Sequence, residues 1–159
     1  MFVVARAVTY STLFIGLFLV FLPARVLSSS GVTPPAAIGL PQGAGMLVGA
    51  LGAAITVSCV VAFVLVGKGT PAPFDPPRRL VVRGPYRLVR NPMSLGAALA
   101  IAGAALFYQS LPLLAYAAAF LLVMNLFVLI YEEPTLRRTF GAEYTAYCSR
   151  VGRWCVLRG

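Results

Sequence analysis

The 159-residue chain lacks histidine altogether and is poor in charge, since charged residues make up only 11% of it. Without an imidazole, histidine acid–base catalysis, catalytic triads that use histidine and zinc sites with a histidine ligand are all excluded. The three cysteines, Cys59, Cys148 and Cys155, are too few and too scattered for a disulfide framework, and none belongs to a CxxC pair. Composition alone therefore excludes several common classes of enzyme and metal site.

Apolar residues, in contrast, make up 60% of the chain, whereas about a quarter of the residues of a typical soluble domain are charged. A single core in a chain of this length cannot hide so much apolar surface, so part of that surface is expected to face lipid. Helices satisfy their own backbone hydrogen bonds in lipid. We therefore predict an all-α integral membrane protein.

Four apolar segments predict about four membrane helices. The first lies between Arg6 and Arg25 and the second covers residues 43–66, with a Ser-, Gly- and Pro-rich loop over 28–42 between them. An arginine ahead of an apolar run is also typical of a signal peptide, but we interpret the first segment as a retained helix. The third helix is expected over 92–107 and the fourth over 112–131. Because the third is short, it is expected to tilt or to lie partly in the interface.

The 13 basic and 4 acidic residues are distributed unevenly around these helices. With four spans, both termini and the 68–90 loop share one face, which carries every acidic residue and every basic residue except Arg25. By the positive-inside rule this face is cytosolic, in the inner membrane if the protein is bacterial. A charge of +9 would suggest a nucleic-acid partner in a soluble protein, but here it indicates topology and no nucleic-acid partner is expected.

The segment that precedes the third helix, residues 68–96, is rich in proline and arginine. A turn is expected at Gly84-Pro85, and Pro92 suits the first helical position with Asn91 as its cap. A basic loop resting on anionic headgroups would explain the arginines. The proline, glycine and tyrosine content instead favours a defined path around a pocket, where a helix N-terminus would attract electron-rich ligand groups.

Two adjacent carboxylates, Glu132 and Glu133, end the fourth helix and precede Pro134. In a structural interpretation, Pro134 starts a new helix that the acids cap, and they pair with Arg137 or Arg138. In a functional interpretation, they form an anionic site at the membrane edge for a sulfonium or ammonium group.

Apolar residues recur at helical spacing over 136–154 and predict an amphipathic C-terminal helix on the membrane surface. They are Leu136, Phe140, Tyr144, Tyr147, Val151 and Trp154.

The second and third helices are dense in glycine and alanine, which favours close helix packing and would also let a ligand lie against backbone.

The sequence GPYRLVRNPMSLG at 84–96, followed by EEPTLRRTFGAEYTAYCSRVGRW at 132–154, resembles the isoprenylcysteine carboxyl methyltransferase and phospholipid methyltransferase family of integral membrane enzymes. The resemblance covers residues 68–154. It implies that S-adenosylmethionine is the cofactor and that the methyl acceptor is a lipophilic molecule or lipid in the membrane. Residues 1–67 would then supply two N-terminal helices, and residues 68–159 the cofactor-binding region of the same structural unit.

Carried over position by position, the resemblance implies cofactor contacts before and at the start of the third helix and at the acidic pair. These are Arg78, Arg79, Leu80, Val81, Tyr86, Asn91, Pro92, Met93, Ser94, Glu132 and Glu133. Asn91 and Ser94 stand where the family's RHPxY motif has histidine and tyrosine. Val128 stands where the carboxyl methyltransferases have an arginine, which favours an acceptor other than a prenylcysteine carboxylate.

The sequence is compatible with several alternatives. Membrane sterol and enone reductases, which use NADPH, share a similar helix start, although the acidic pair and the FGAEY sequence at 140–144 favour methyl transfer. A non-catalytic protein that retains the scaffold is another alternative. An acceptor that must lose a proton would need a base from Glu132, Glu133, Tyr86 or a C-terminal tyrosine. The sequence does not indicate an oligomeric state.

Overall fold

The structure, a computed structural model, describes residues 2–67 and 79–155. Within these ranges the chain forms four continuous helical segments and no β-strand, with one isolated parallel bridge between Val89 and Gly152. The predicted all-α class is therefore confirmed for the described residues. Arg78, the first of the implied cofactor contacts, lies outside them.

Three of the four segments change their helical type along their length. The first comprises α1 (Phe2–Phe14), a π-helical turn (Ile15–Phe21) and α2 (Leu22–Ser29). The second comprises α3 (Leu40–Ala62) and a π turn (Phe63–Gly67), and the third is α4 (Pro92–Tyr108), preceded by a 3-10 turn (Gly84–Arg87). The fourth comprises α5 (Leu111–Phe127), a π turn (Val128–Glu132) and α6 (Glu133–Cys148).

Three segments of the described chain are long and apolar enough to cross a membrane: Val8–Ser29, Leu40–Gly67 and Leu111–Cys148. The remaining helix, α4, has 17 residues and is about 25 Å long at 1.5 Å per residue, shorter than a hydrocarbon core of about 30 Å. The protein is thus a multi-pass membrane protein with three candidate spans, and a fourth span through α4 stays a prediction.

Helix α4 forms the centre of the bundle because its small residues let α3 approach closely. A Cβ atom added to Gly45 would lie 2.6 Å from the backbone oxygen of Gly103, and one added to Gly96 would lie 2.9 Å from that of Gly52. At this separation no side chain fits between the two backbones. Gly45 and Gly52 of α3 and Gly96 and Gly103 of α4 therefore serve helix packing.

The other side of α4 packs against α5 and the first helical segment. Ile101 of α4 and Phe120 of α5 belong to one buried cluster, against which Phe14 and Phe18 pack. The Tyr116 hydroxyl donates a hydrogen bond of 3.0 Å to the Phe18 carbonyl. This contact joins α5 to the π turn of the first segment.

The predicted loop over 28–42 is too long, since helix continues to Ser29 and resumes at Leu40. Pro41 lies in the first turn of α3, where its missing N–H would have no helical partner anyway. The side chain of Gln42 accepts a hydrogen bond of 3.0 Å from the Gly39 N–H and caps the helix. Pro41 therefore begins a helix, although the proline content of 28–42 predicts a loop.

The predicted helix over 136–154 is also wrong in extent. Gly141, with φ 50° and ψ −118°, interrupts α6, and the helix ends at Cys148. Val151 and Trp154 therefore lie beyond it. Tyr144, Tyr147 and Val151 of the apolar stripe are nevertheless buried in one cluster, against which the half-buried Leu80, Leu136, Phe140 and Cys148 pack. Pro134 lies in the first turn of α6 as expected, but the π turn joins α6 to α5 without a break.

Candidate functional site

The turn that leads into α4 buries a tyrosine. Gly84 adopts φ 58°, a conformation that favours glycine, and the 3-10 turn that starts there directs Tyr86 inward, where it is 7% exposed. Its ring meets Phe63 edge-on with the centroids 5.6 Å apart. Cys59 and Val81 complete this cluster. The segment before α4 is thus anchored to the end of α3.

Burial raises the pKa of Tyr86 well above its ordinary value, and charge on the neighbouring Cys59 and Glu132 would raise it further. The phenol therefore stays protonated near neutral pH. The backbone carbonyl oxygen of Tyr86 accepts a hydrogen bond of 2.6 Å from the hydroxyl of Tyr147, which ties the turn to α6.

The second carboxylate of the acidic pair, Glu133, is buried and bound by two arginines. Nε and Nη2 of Arg153 donate to its Oε1 and Oε2 at 2.7 and 2.9 Å. Nη1 of Arg90 lies 3.0 Å from Oε1, with the Arg90 and Glu133 side chains 12% and 10% exposed. Hydrogen bonding to Glu133 raises the pKa of Arg153, so this pair stays ionic. The ion pairs of Glu133 are therefore with Arg90 and Arg153, and not with Arg137 or Arg138 as in the structural interpretation.

Arg90 connects three parts of the chain. Besides Glu133, its Nη1 donates to the Cys148 sulfur at 2.9 Å and to the Tyr144 hydroxyl at 3.4 Å. Its backbone N–H donates to the Gly152 carbonyl at 2.8 Å. Its Nε is buried and has no hydrogen-bond partner among the described residues. Arg90 therefore links the start of α4 to α6 and the C-terminus and retains one donor.

Asn91 lies at the N-cap position of α4, as predicted, but its side chain does not cap the helix. Its Nδ2 instead donates to the Arg153 carbonyl at 3.3 Å. Next along the chain, Trp154 donates from Nε1 to Oδ1 of Asn125 in α5 at 2.9 Å. The residues after α6 thus contact both α4 and α5.

The structure connects some of the implied contacts at this end of the bundle. Asn91 and Glu133 are joined through Arg153, and Tyr86 is bound separately by Tyr147 of α6. The other implied contacts within the described residues differ in exposure. Val81, Pro92 and Ser94 are buried, Leu80, Met93 and Glu132 are half-buried, and Arg79 is exposed.

The sequence alone does not identify the residues that hold this end together. Its patterns mark Arg90 and Arg153 only as topology signals and Tyr147 only as part of an apolar stripe. The one available signal was the shortage of acids, because a buried carboxylate needs a cationic partner and this chain has many arginines. Spacing along the chain could not identify which arginines they were.

A sequence profile of the phospholipid methyltransferase family matches residues 41–143, which is well over half of the chain and covers α4, α5 and all of α3 except its first residue. No curated protein and no solved structure is significantly similar to the chain. The match agrees with the resemblance seen in the helix start and the acidic pair, whereas the narrower likeness to the carboxyl methyltransferases stays a prediction. With its membrane helices and this match, the chain belongs to the phospholipid methyltransferase family.

Proposed function

We propose that this protein transfers a methyl group from S-adenosylmethionine to a phospholipid at the membrane edge. One observation carries the proposal: Tyr86, the start of α4 and the acidic pair meet at one end of the bundle. The family match supplies the reaction class. The implied cofactor contacts, Arg78 included, are part of the proposal, with an indirect role for Glu133.

The groups at this end of the bundle fit a ligand that carries both charge signs. Glu132 is half-buried at the end of the π turn, where a carboxylate suits a sulfonium or ammonium cation. The free Nε of Arg90 is a buried donor without a partner among the described residues, and such a donor suits a ligand carboxylate. S-adenosylmethionine contains all three of these charged groups and supplies an activated methyl group when bound.

The two carboxylates of the acidic pair have different surroundings. Both oxygens of Glu133 accept hydrogen bonds from Arg153, and Arg90 lies against one of them. A cation binding at Glu133 would have to displace these arginines. We therefore assign the direct ligand contact to Glu132, with Glu133 acting through Arg90.

The residues around the site are suited to positioning and to excluding water. Methyl transfer from a sulfonium is a displacement that depends on alignment of the reactants. Val81 and Tyr86 are buried next to α3 and would close one side of the pocket. Because the pKa of Tyr86 is raised, Tyr86 is not suited to act as a base. An amine acceptor would then lose its proton to Glu132 or to solvent.

The position of Val128 favours a phospholipid over a prenylcysteine carboxylate. Its side chain is 1% exposed, so the site where the carboxyl methyltransferases have an arginine is here apolar and enclosed.

We further propose that α4 completes a fourth crossing, which would put both termini and the site on the cytosolic face as the arginine distribution predicts.

Calorimetric titration of the purified protein in lipid nanodiscs with S-adenosylhomocysteine tests the proposal. We expect binding by the parent protein and none by Glu132→Gln, because the amide cannot balance a cation. Glu143→Gln changes an exposed carboxylate of α6 and should bind like the parent. NADPH should not bind. Absence of S-adenosylhomocysteine binding by the parent, or binding of NADPH in its place, would overturn the proposal.

A further inference from the structure

Residues 151–155, which follow α6, do not extend away from the bundle but fold back onto it. We call them the C-terminal segment. Val151 is buried in the cluster of Tyr144 and Tyr147, and Trp154 is half-buried. The segment therefore has a defined place although it has no regular secondary structure.

On one side, the C-terminal segment binds the residues that start α4. Gly152 accepts a hydrogen bond from the Arg90 N–H at 2.8 Å and forms a parallel bridge with Val89. The Arg153 carbonyl accepts from Asn91 at 3.3 Å. Asn91 has φ −122° and ψ 54°, outside the helical region, so these contacts help to hold an irregular part of the backbone.

On the other side, the same segment binds α5 and α6. The Arg153 guanidinium holds both oxygens of Glu133, next to Glu132. Trp154 donates to Asn125, seven positions before Glu132 on the same continuous helical segment. The C-terminal segment thus spans the two halves of the proposed site, the start of α4 and the acidic pair.

We propose that the C-terminal segment positions the cofactor-binding residues and that Arg153 is the positioning residue. This inference rests on the proposed function. Docking of the segment sets the spacing between Asn91 and Glu132, and a ligand that bridges them binds best when the segment is docked. Since coupling between two binding events is reciprocal, bound ligand in turn holds the segment in place.

Trp154 is the only tryptophan of the chain, so tryptophan fluorescence reports directly on this segment. The experiment measures the affinity for S-adenosylhomocysteine and the Trp154 emission of the full-length protein in nanodiscs. Arg153→Ala is compared with Arg150→Ala, which removes the same charge from an exposed position nearby. We expect Arg153→Ala to weaken binding by on the order of tenfold and to shift Trp154 emission to longer wavelength, while Arg150→Ala leaves both unchanged.

Two further variants keep the test decisive if Arg153→Ala folds poorly. Arg153→Lys keeps the charge but loses the paired geometry, so its affinity should lie between those of the parent and Arg153→Ala. Asn125→Leu removes the Trp154 anchor without leaving a charge unpaired, and it should weaken binding in the same direction. In the parent protein, added S-adenosylhomocysteine should reduce quenching of Trp154 by a soluble quencher.

The outcomes separate this inference from the proposed function. Exposure of Trp154 with unchanged affinity in Arg153→Ala and Asn125→Leu would overturn the inference and leave the proposed function standing. Equal weakening by Arg150→Ala would also overturn it, because the effect would then be one of charge alone. No ligand binding by the parent protein would overturn both.

Discussion

The hydroxyl of Tyr147 lies 2.6 Å from the backbone oxygen of Tyr86 and donates a hydrogen bond to it. The two residues are 61 positions apart, and both are buried. Through this bond α6 holds the turn that precedes α4. The contact is a specific one, because Tyr147 is the only group shown to bind this carbonyl among the described residues.

Tyr147→Phe should destabilise the protein and weaken its binding of S-adenosylhomocysteine. The buried carbonyl of Tyr86 would lose its partner, which costs about 1–3 kcal/mol, and the turn would be less well held. Thermal unfolding in detergent and calorimetry measure the two effects. Tyr116→Phe is the matched control, since it removes a hydrogen bond from a tyrosine hydroxyl to a backbone carbonyl in the N-terminal part of α5, the part farther along the helix from the acidic pair. It should lower stability and leave ligand affinity unchanged; an equal loss of affinity would contradict the prediction.

Glu133→Gln should lower stability more than Glu132→Gln does. An amide at position 133 would leave Arg90 and Arg153 close together without a balancing charge, and breaking a buried ion pair typically costs about 3–5 kcal/mol. Glu132→Gln should lose ligand binding while its unfolding temperature stays within a few degrees of the parent's. Thermal unfolding of both variants in the same detergent provides the comparison. Equal unfolding temperatures would contradict the different roles assigned to the two carboxylates.

Gly52→Ala should destabilise the bundle, whereas Gly43→Ala on the same helix should not. A Cβ atom at Gly52 would lie 2.5 Å from the Gly96 oxygen and close to the backbone of Leu99 and Ala100. Overpacking of this kind costs about 1–3 kcal/mol. A Cβ atom at Gly43 meets nothing within 4 Å, and alanine is the better helix former. Chemical or thermal unfolding distinguishes them, and equal stability of the two variants would refute the close packing of α3 on α4.

Cysteine labelling tests the proposed orientation. Cys155 is exposed and Cys59 is fully buried, so a membrane-impermeant maleimide should modify Cys155 only from the cytosolic side and should leave Cys59 unmodified. Ser30→Cys places a thiol at an exposed position between α2 and α3, on the opposite face in this topology. It should be labelled from the other side of the membrane. Labelling of positions 30 and 155 from the same side would rule out the four-crossing topology.

The helices were largely predictable because long apolar runs leave no other structure in lipid. The predicted third helix, 92–107, agrees with α4 to within one residue, since Pro92 marks its start. The extents of the loop over 28–42 and of the C-terminal helix were wrong. Pro41 proved to lie inside a first helical turn, and Gly141 adopts a positive φ that apolar spacing does not signal.

The sequence predicts a set of site residues by resemblance, but it does not separate the surroundings of the two acidic residues in that set. Glu132 and Glu133 are adjacent in sequence and have the same side chain. Only the tertiary structure distinguishes them, because Arg90 and Arg153 reach Glu133 from different parts of the chain. Sequence spacing therefore could not show which of the two carboxylates the arginines hold.

By itself, the sequence determined that the chain is an all-α membrane protein and which functional classes its missing histidines exclude. It also contains, in order, the two sequences at 84–96 and 132–154 that resemble those of the phospholipid methyltransferase family. The tertiary structure decided which arginines bind Glu133, that Tyr147 holds the turn at Tyr86, and that the C-terminal segment folds back onto α4 and α5. Apolar runs and helix starts are local properties of the chain, whereas ion pairs between residues 20 or more positions apart arise only when the helices have packed.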